Sequence, residues 1–380
     1  MVLALTLLMA LGGVLAAKSY SNSPVIENVI ANTAMGMALG TPDIKSAGAL
    51  TFGPENILFI GDTQGAAIFA VDVKESEKDA GSTPIEIKNI DQKIASLLGA
   101  TPDVILINDM ATHPVSQNIY LSVSRGRGND AWPVILKASK NGKIEEVVMK
   151  DVRFSKASLN NAPDPAAKTQ WGESKRKLAI TDLAFTEGEL LIAGLSNTEF
   201  ASTLHRVPFP FNQSAGATTL EIYHASHGRY ETHAPIETFL PFRVNGKPSL
   251  LAGYGCAPLA SFLLADLKEK KHLRGTTLAE LGGGNRPLDM IAFQKNGKDY
   301  VLIANSHRTL MSVSGEDIDK AEPLTTPVGA PYVTSGVKYV AVAEVGVMQL
   351  DNLNANFAVA IQRDIVTGSL DLHSLSKKWL

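Results

Sequence analysis

Along most of the chain, short apolar runs are separated by polar turns rich in Gly and Asn. Such short, bounded apolar runs are the pattern of β-strands rather than helices. One compound unit recurs: a short apolar strand often closed by Phe, a polar turn, and a second apolar strand. Its copies are GALTFGPENILFIGD from Gly48, NDMATHPVSQNIYLSVS from Asn108, TDLAFTEGELLIAGLS from Thr181, ETFLPFRVNGKPSLLAGYG from Glu237, LDMIAFQKNGKDYVLIAN from Leu288 and GVMQLDNLNANFAVAIQ from Gly346. Aligned on Phe52, His113, Phe185, Phe242, Phe293 and Asp351, they recur every 51 to 72 residues.

Further β-like runs lie between the copies, among them AAIFAVDV, PIEIKNI, WPVILKAS, IEEVVMK, STLHRV, TLEIYH, ASFLLADL and GSLDLHSL. Short length, β-branched content and Gly/Asn punctuation mark them as strands. Six copies of about four strands predict an all-β fold, a six-bladed β-propeller with four antiparallel strands per blade. Blades are expected to start near residues 48, 108, 181, 237, 288 and 346. The sixth copy has room for only three strands, and SPVIENVIAN, residues 23–32, has no partner of its own. The expectation is that this N-terminal strand closes the last blade and removes two open sheet edges. Helix should be scarce, with DQKIASLLG from Asp91 the best candidate.

The segments ITDLAFTEGELLIAGL and RPLDMIAFQKNGKDYVLIAN resemble the repeats of exported bacterial propellers of the NHL and YVTN-like group, and the resemblance runs from about Ser23 onward. It implies a blade; it implies no particular activity, because propellers host many unrelated ones.

Composition narrows the partners. The chain has 380 residues, 45% hydrophobic, with 35 basic against 38 acidic side chains and a net charge of −3. Without a basic tail or patch, nucleic acid is not an expected partner. Residues 1–17, MVLALTLLMALGGVLAA, carry no charged side chain and end in small residues, as a signal peptide cleaved near Ala16 or Ala17 would. An uncleaved anchor is the rival reading. No later run is apolar for long enough to cross a bilayer. The expectation is one propeller domain over residues 18–380 in a secreted or periplasmic protein, with no stable membrane insertion once the leader is removed. The single cysteine, Cys256, cannot form an internal disulfide, so packing alone must hold the fold.

A propeller gathers side chains from all its blades at the rim of its central channel. The long insertions, 91–102, 154–177, 225–235 and 282–287, all fall on one rim, whereas turns on the other, such as GPEN, TEGE and KNGK, are tight. Loops on a rigid scaffold tend to carry function, and the insertion around residues 154–177 is long enough to cover the channel mouth. Candidate ligand-binding residues are Asn108, Asp109, Thr181, Asp182, Glu237 and Asp289 where inner strands begin, with Arg125, Asn197, Asn305 and Arg363 after the second strands. Acids and amides converging there suit a Ca²⁺ ion or general acid–base work. They equally suit a structural role, tying neighbouring blades through backbone N–H groups.

Three of the eight histidines fall within EIYHASHGRYETHAPIE, which crosses the same rim and should meet the turn GYGCAP. His227 and His233, with His224 as a further option, then approach Cys256, and imidazole with thiolate suits zinc or copper. The spacing matches no structural-zinc signature. The alternatives are a loop whose histidines bond backbone carbonyls, and a nucleophilic Cys256 activated by histidine. His113 replaces the recurring Phe of an inner strand and reads as structural. G-x-S-x-G, H-E-x-x-H, C-x-x-C and Walker motifs are all missing from the sequence.

Three functions remain open: a binding module for a small molecule, peptide or protein; a calcium-dependent hydrolase; and a copper or zinc redox or carrier site. The hydrolase is implied by a resemblance to the gluconolactonase-like six-bladed type, with Asp109, Asp182, Asn197, Asp289 and Asn305 as the candidates around an axial calcium. Whether the protein is an enzyme stays undecided at this level, and the binding module is the leading expectation.

Overall fold

Each of the six repeats builds its own small antiparallel sheet, and the six sheets close into a ring, a six-bladed β-propeller. The computed structural model describes residues 35–79, 81–170, 172–212, 215–269, 271–329 and 332–380. Residues 1–17 and 23–32, the expected leader and closing strand, lie outside them.

Inner strands, in chain order, are Leu50–Phe52, Ile105–Thr112, Asp182–Thr186, Ile236–Val244, Pro287–Lys295 and Val347–Asn352, and blades are numbered by them. Second strands, such as Ile57–Asp62 and Glu189–Leu195, are buried along nearly their whole length because both sheet faces are covered. That explains their near-continuous apolar runs. The helix expected around Asp91 forms as α1, Ile90–Leu97.

The order of blades around the ring departs from chain order. The inner strands touch in the sequence second, first, third, fourth, fifth, sixth and back to second. The cause is a nested blade. The first sheet takes Leu50–Phe52, Ile57–Asp62 and Ala67–Asp72 in succession, but its next strand is Val152–Ser158, which pairs with Ala67–Asp72. The entire second blade, Ile105–Glu146, is inserted between them. On its way there the chain lays Glu86–Ile87 against Leu370–Ser376, with Ile87 opposite Leu372. This two-residue strand occupies the outer edge of the sixth blade, the position expected for residues 23–32. The run PIEIKNI therefore completes the sixth sheet, and VRFSKAS continues the first, whose outer edge is Ala38–Gly40.

The core is a set of wedges between neighbouring blades. Six clusters of buried apolar residues fill the six junctions. Between the second and sixth blades, Ile87, Ile90 and Ile94 pack against Ile105, Leu121, Ile361 and Leu372. Polar bonds reinforce this latch: Asp371 accepts the N–H of Asn89 at 2.8 Å, and Ser374 donates its N–H to the Ile85 carbonyl. No helix among the described residues is long and apolar enough to cross a membrane.

Candidate functional site

The ring gathers the expected rim acids. A polar cavity of about 70 Å³ sits at the channel, lined from all six blades by residues including Asn108, Asp109, Thr181, Asp182, Glu237 and Asp289. Asp109, Asp182 and Asp289 belong to alternate blades of the ring, and Ala49, Thr238 and Gln349 hold the matching positions between them. Each aspartate uses one oxygen on the N–H of the next residue and the other on the blade beside it. Asp109 accepts from Leu50 at 2.7 Å, Asp182 from Phe239 at 2.7 Å and Asp289 from Leu350 at 2.6 Å. Asp351, further along the sixth inner strand, does the same with Thr112 at 2.6 Å. Four junctions are thus stapled in one rotational direction.

Burial governs the charge of these staples. It pushes Asp182 up to about 7 and Asp351 up to about 6, against the pull of the N–H donors. Asp109 and Asp289 rise well above the usual carboxylate range, through burial first and then the charges of the neighbouring aspartates. Their position and bonding are those of structural ties between blades.

The other expected ligand-binding residues serve local structure. Thr181 donates to the Ile236 carbonyl, and Asn108 bridges the Ala47 carbonyl and Ser124. Glu237 pairs with Arg286 at 2.7 Å across the fourth–fifth junction. Four residues stand outside the cavity. Arg125 reaches the Gly99 carbonyl, Arg363 the Gly368 carbonyl, and the exposed Asn197 donates its backbone N–H to Asn161. Buried Asn305 clamps its own turn through the Ile303 and Thr309 carbonyls. The insertion expected as a lid begins later than 154, since its first residues form the strand Val152–Ser158. The remainder is tied down by Arg176, which bonds the Pro163 and Gln64 carbonyls. From the same insertion, Glu173 acts electrostatically on Arg286 at the channel mouth. A larger cavity, about 320 Å³, opens between the first and second blades beside Lys74, Lys137 and Lys150, away from every expected site residue. His113 packs edge-on against Phe52 and accepts the Ser116 N–H at Nδ1.

The histidine-rich segment forms a hairpin where a loop was expected. Gly216–His224 is the fourth strand of the third blade, and Arg229–Glu231 pairs back on it with His224 opposite Arg229. The turn between them closes with the His227 N–H on the His224 carbonyl and Gly228 at φ +65°. This register places Glu231 beneath both imidazoles. Its Oε2 meets His224 Nδ1 at 2.8 Å and its Oε1 meets His227 Nδ1 at 2.8 Å. Burial opposes ionisation of Glu231, yet hydrogen bonds from His224, His227 and Arg229 more than offset it and hold the carboxyl far below its usual range. An ionised carboxylate only accepts, so both imidazoles donate to Glu231 through Nδ1, and their Nε2 atoms point away from it.

Cys256 completes the group from the fourth blade. It lies in the turn between Lys247–Tyr254 and Pro258–Leu263, with Cys256 at φ +63° and Ala257 at φ +78°. Two consecutive left-handed non-glycine residues cost about 1–3 kcal/mol each and persist only where the surroundings enforce them. Here the Ala257 N–H bonds Tyr254 and its carbonyl accepts from Leu281, which fixes the thiol over the hairpin. One ligand atom each from His224, His227 and Cys256 lies within 4.8 Å of the other two. Metal bonds of about 2.0–2.3 Å put such atoms roughly 3.5 Å apart, so closure needs shifts of about 1 Å. His224 is 2% exposed, and its Nε2 has no hydrogen-bond partner among the described residues. Nearby, Glu280, fully buried, comes within 4.0 Å of that nitrogen while accepting from Ser226 N–H and Oγ.

His233 is corrected by this geometry. It lies beyond the hairpin, exposed, and His224 takes its place beside His227 and Cys256. Sequence reasoning also missed Glu231 and Glu280. A signal for Glu231 was present: IYH and RYE flank a four-residue turn ending in Gly, the mark of a hairpin. Nothing local marks Glu280, which arrives from the fourth blade.

No family model and no curated protein matches the chain. Solved structures do match over much of its length. A chain of the mitotic checkpoint complex is 9% identical, with 99% of each chain covered and a TM-score of 0.37. The β-propeller domain of Myceliophteria thermophila Cps50 (Swd1) is 11% identical, covering 88% of this chain and 98% of that one, with a TM-score of 0.38. A bifunctional GH43-CE protein of Bacteroides eggerthii is 15% identical over 73% of this chain and 34% of its own, with a TM-score of 0.36. None of the three bears on what this chain binds.

Proposed function

We propose that this propeller is a binding module whose loop-bearing rim holds one transition-metal ion between His224, His227 and Cys256. A single observation carries the reading: two imidazoles share one carboxylate through Nδ1, one ligand atom each of His224, His227 and Cys256 lies within 4.8 Å of the other two, and the buried Nε2 of His224 has no hydrogen-bond partner among the described residues. Metal-ligating histidines commonly donate their second ring N–H to a carboxylate, which fixes both tautomer and orientation. Glu231 is placed to do so for two histidines at once. The donor set of two nitrogens and one sulfur suits borderline and soft ions and is unlike the oxygen-rich shell of calcium. The calcium-hydrolase alternative has less support, because the carboxylates of Asp109, Asp182 and Asp289 are engaged by backbone N–H groups and Asn197 and Asn305 stand apart.

The test is metal content and affinity of the full chain purified without an affinity tag. One equivalent of zinc, cobalt or copper should bind, and His224→Ala or Cys256→Ser should abolish it while His233→Ala does not. Equal affinity in all four proteins would sink the reading. We further place the protein in the periplasm or outside the cell, on the strength of residues 1–17. Fractionation of its native source would overturn this by finding the protein in the cytosol.

A further inference from the structure

We propose that the rim site is a copper centre that cycles between Cu(II) and Cu(I) and so passes single electrons, an inference that rests on the metal-binding reading above. Its first ground is the ligand set. Two imidazole nitrogens and one thiolate in a trigonal arrangement form the donor set that copper keeps in both oxidation states, whereas zinc fills a fourth position. Among the described residues, no further His, Cys, Asp or Glu joins the three within the same span.

The second ground is rigidity. Electron transfer is fast when the ligands move little between the two states. The Glu231 clamp holds both imidazole rings, whose centroids are 3.8 Å apart, and the left-handed turn at Cys256–Ala257 holds the thiol. Ser226, in the hairpin turn, is bonded to Glu280 of the fourth blade, which ties the two halves of the site together.

The third ground is access. The His227 side chain is 41% exposed while that of His224 is 3% exposed, so one imidazole faces solvent and the other seals the site. The step is balanced by one electron alone. Cu(II)–thiolate accepts it from a one-electron reductant such as ascorbate and becomes Cu(I)–thiolate. A one-electron oxidant such as ferricyanide takes it back; at the site no bond forms or breaks, and the proton that ascorbate sheds with its electron goes to solvent.

The experiment is an anaerobic titration of the full chain with Cu(II). One equivalent should produce an intense visible thiolate-to-copper charge-transfer band, unchanged in His233→Ala and missing in Cys256→Ser. Ascorbate should bleach the band and ferricyanide restore it through repeated cycles. Glu280→Gln should keep the band. Binding of zinc or cobalt without such a band on copper loading, or loss of the thiol in the first cycle, overturns the redox inference and leaves the metal site standing. Failure of every metal to bind overturns both.

Discussion

Asp182 reaches out of its own blade to accept the backbone N–H of Phe239 at 2.7 Å while its other oxygen accepts from Leu183 at the same distance. One side chain thereby satisfies two buried donors and joins two sheets that share no strand. Asp182→Ala should leave both N–H groups unpaired, at about 1–3 kcal/mol each. Part of that is offset by no longer burying a charge. We expect a net loss of about 2–4 kcal/mol, read as a lower urea midpoint. An unchanged midpoint would show the bond to be dispensable.

The same carboxylates predict an unusual pH profile. Asp182 titrates near 7 and Asp351 near 6 in the folded chain, both raised chiefly by burial. Their unfolded values are about 3.9. A group raised on folding contributes its full stability below the unfolded value and loses it as pH climbs through the folded one. Stability should therefore fall between about pH 4 and pH 7, by at most about 4 kcal/mol from Asp182 at about 1.4 kcal/mol per tenfold in proton affinity. Denaturation midpoints at several pH values check this, and Asp182→Asn should flatten the slope.

Glu231 should matter to the metal without touching it. Replacing Glu231 by Gln removes the shared acceptor that orients both imidazoles, and loss of such an outer partner typically lowers metal affinity 10–100-fold. Competition with a chelator of known affinity measures the change. Arg229→Ala, which removes a third donor to the same carboxylate, should weaken binding by less.

The latch between the second and sixth blades can be loosened at one residue. Ile87 is 1% exposed and faces Leu372 across the two-residue strand. Ile87→Ala should cost about 2–4 kcal/mol from the cavity alone. It should also speed amide exchange at Leu372 more than at Leu191 in the third blade, since opening starts where the ring is sealed. Uniform exchange across the two sites would count against this role.

Much of the blade count was legible in the chain, because strands buried on both faces leave short apolar runs that end at polar turns. The strands Ile57–Asp62 and Ala67–Asp72 show it directly. Ring order was not legible. The pattern of residues 152–158 says strand, but it carries no mark that its partner is Ala67–Asp72 rather than the blade just completed. Likewise Glu86–Ile87 is too short to announce that it pairs with Leu372 and His373. The channel acids were found because strand entrances recur in register with the repeat. His233 was chosen over His224 because the hairpin's register, which faces His224 with Arg229, decides the matter.

The nested blade also sets a timetable for synthesis. On the ribosome, Glu86–Ile87 emerges long before Leu370–Ser376, the strand it must border, and Ala67–Asp72 waits for Val152–Ser158 until a whole intervening sheet has been made. The edge of Ala67–Asp72 therefore stays open until Val152–Ser158 is made, and that of Glu86–Ile87 through most of translation. The toroid can be sealed only when its final sheet leaves the exit tunnel.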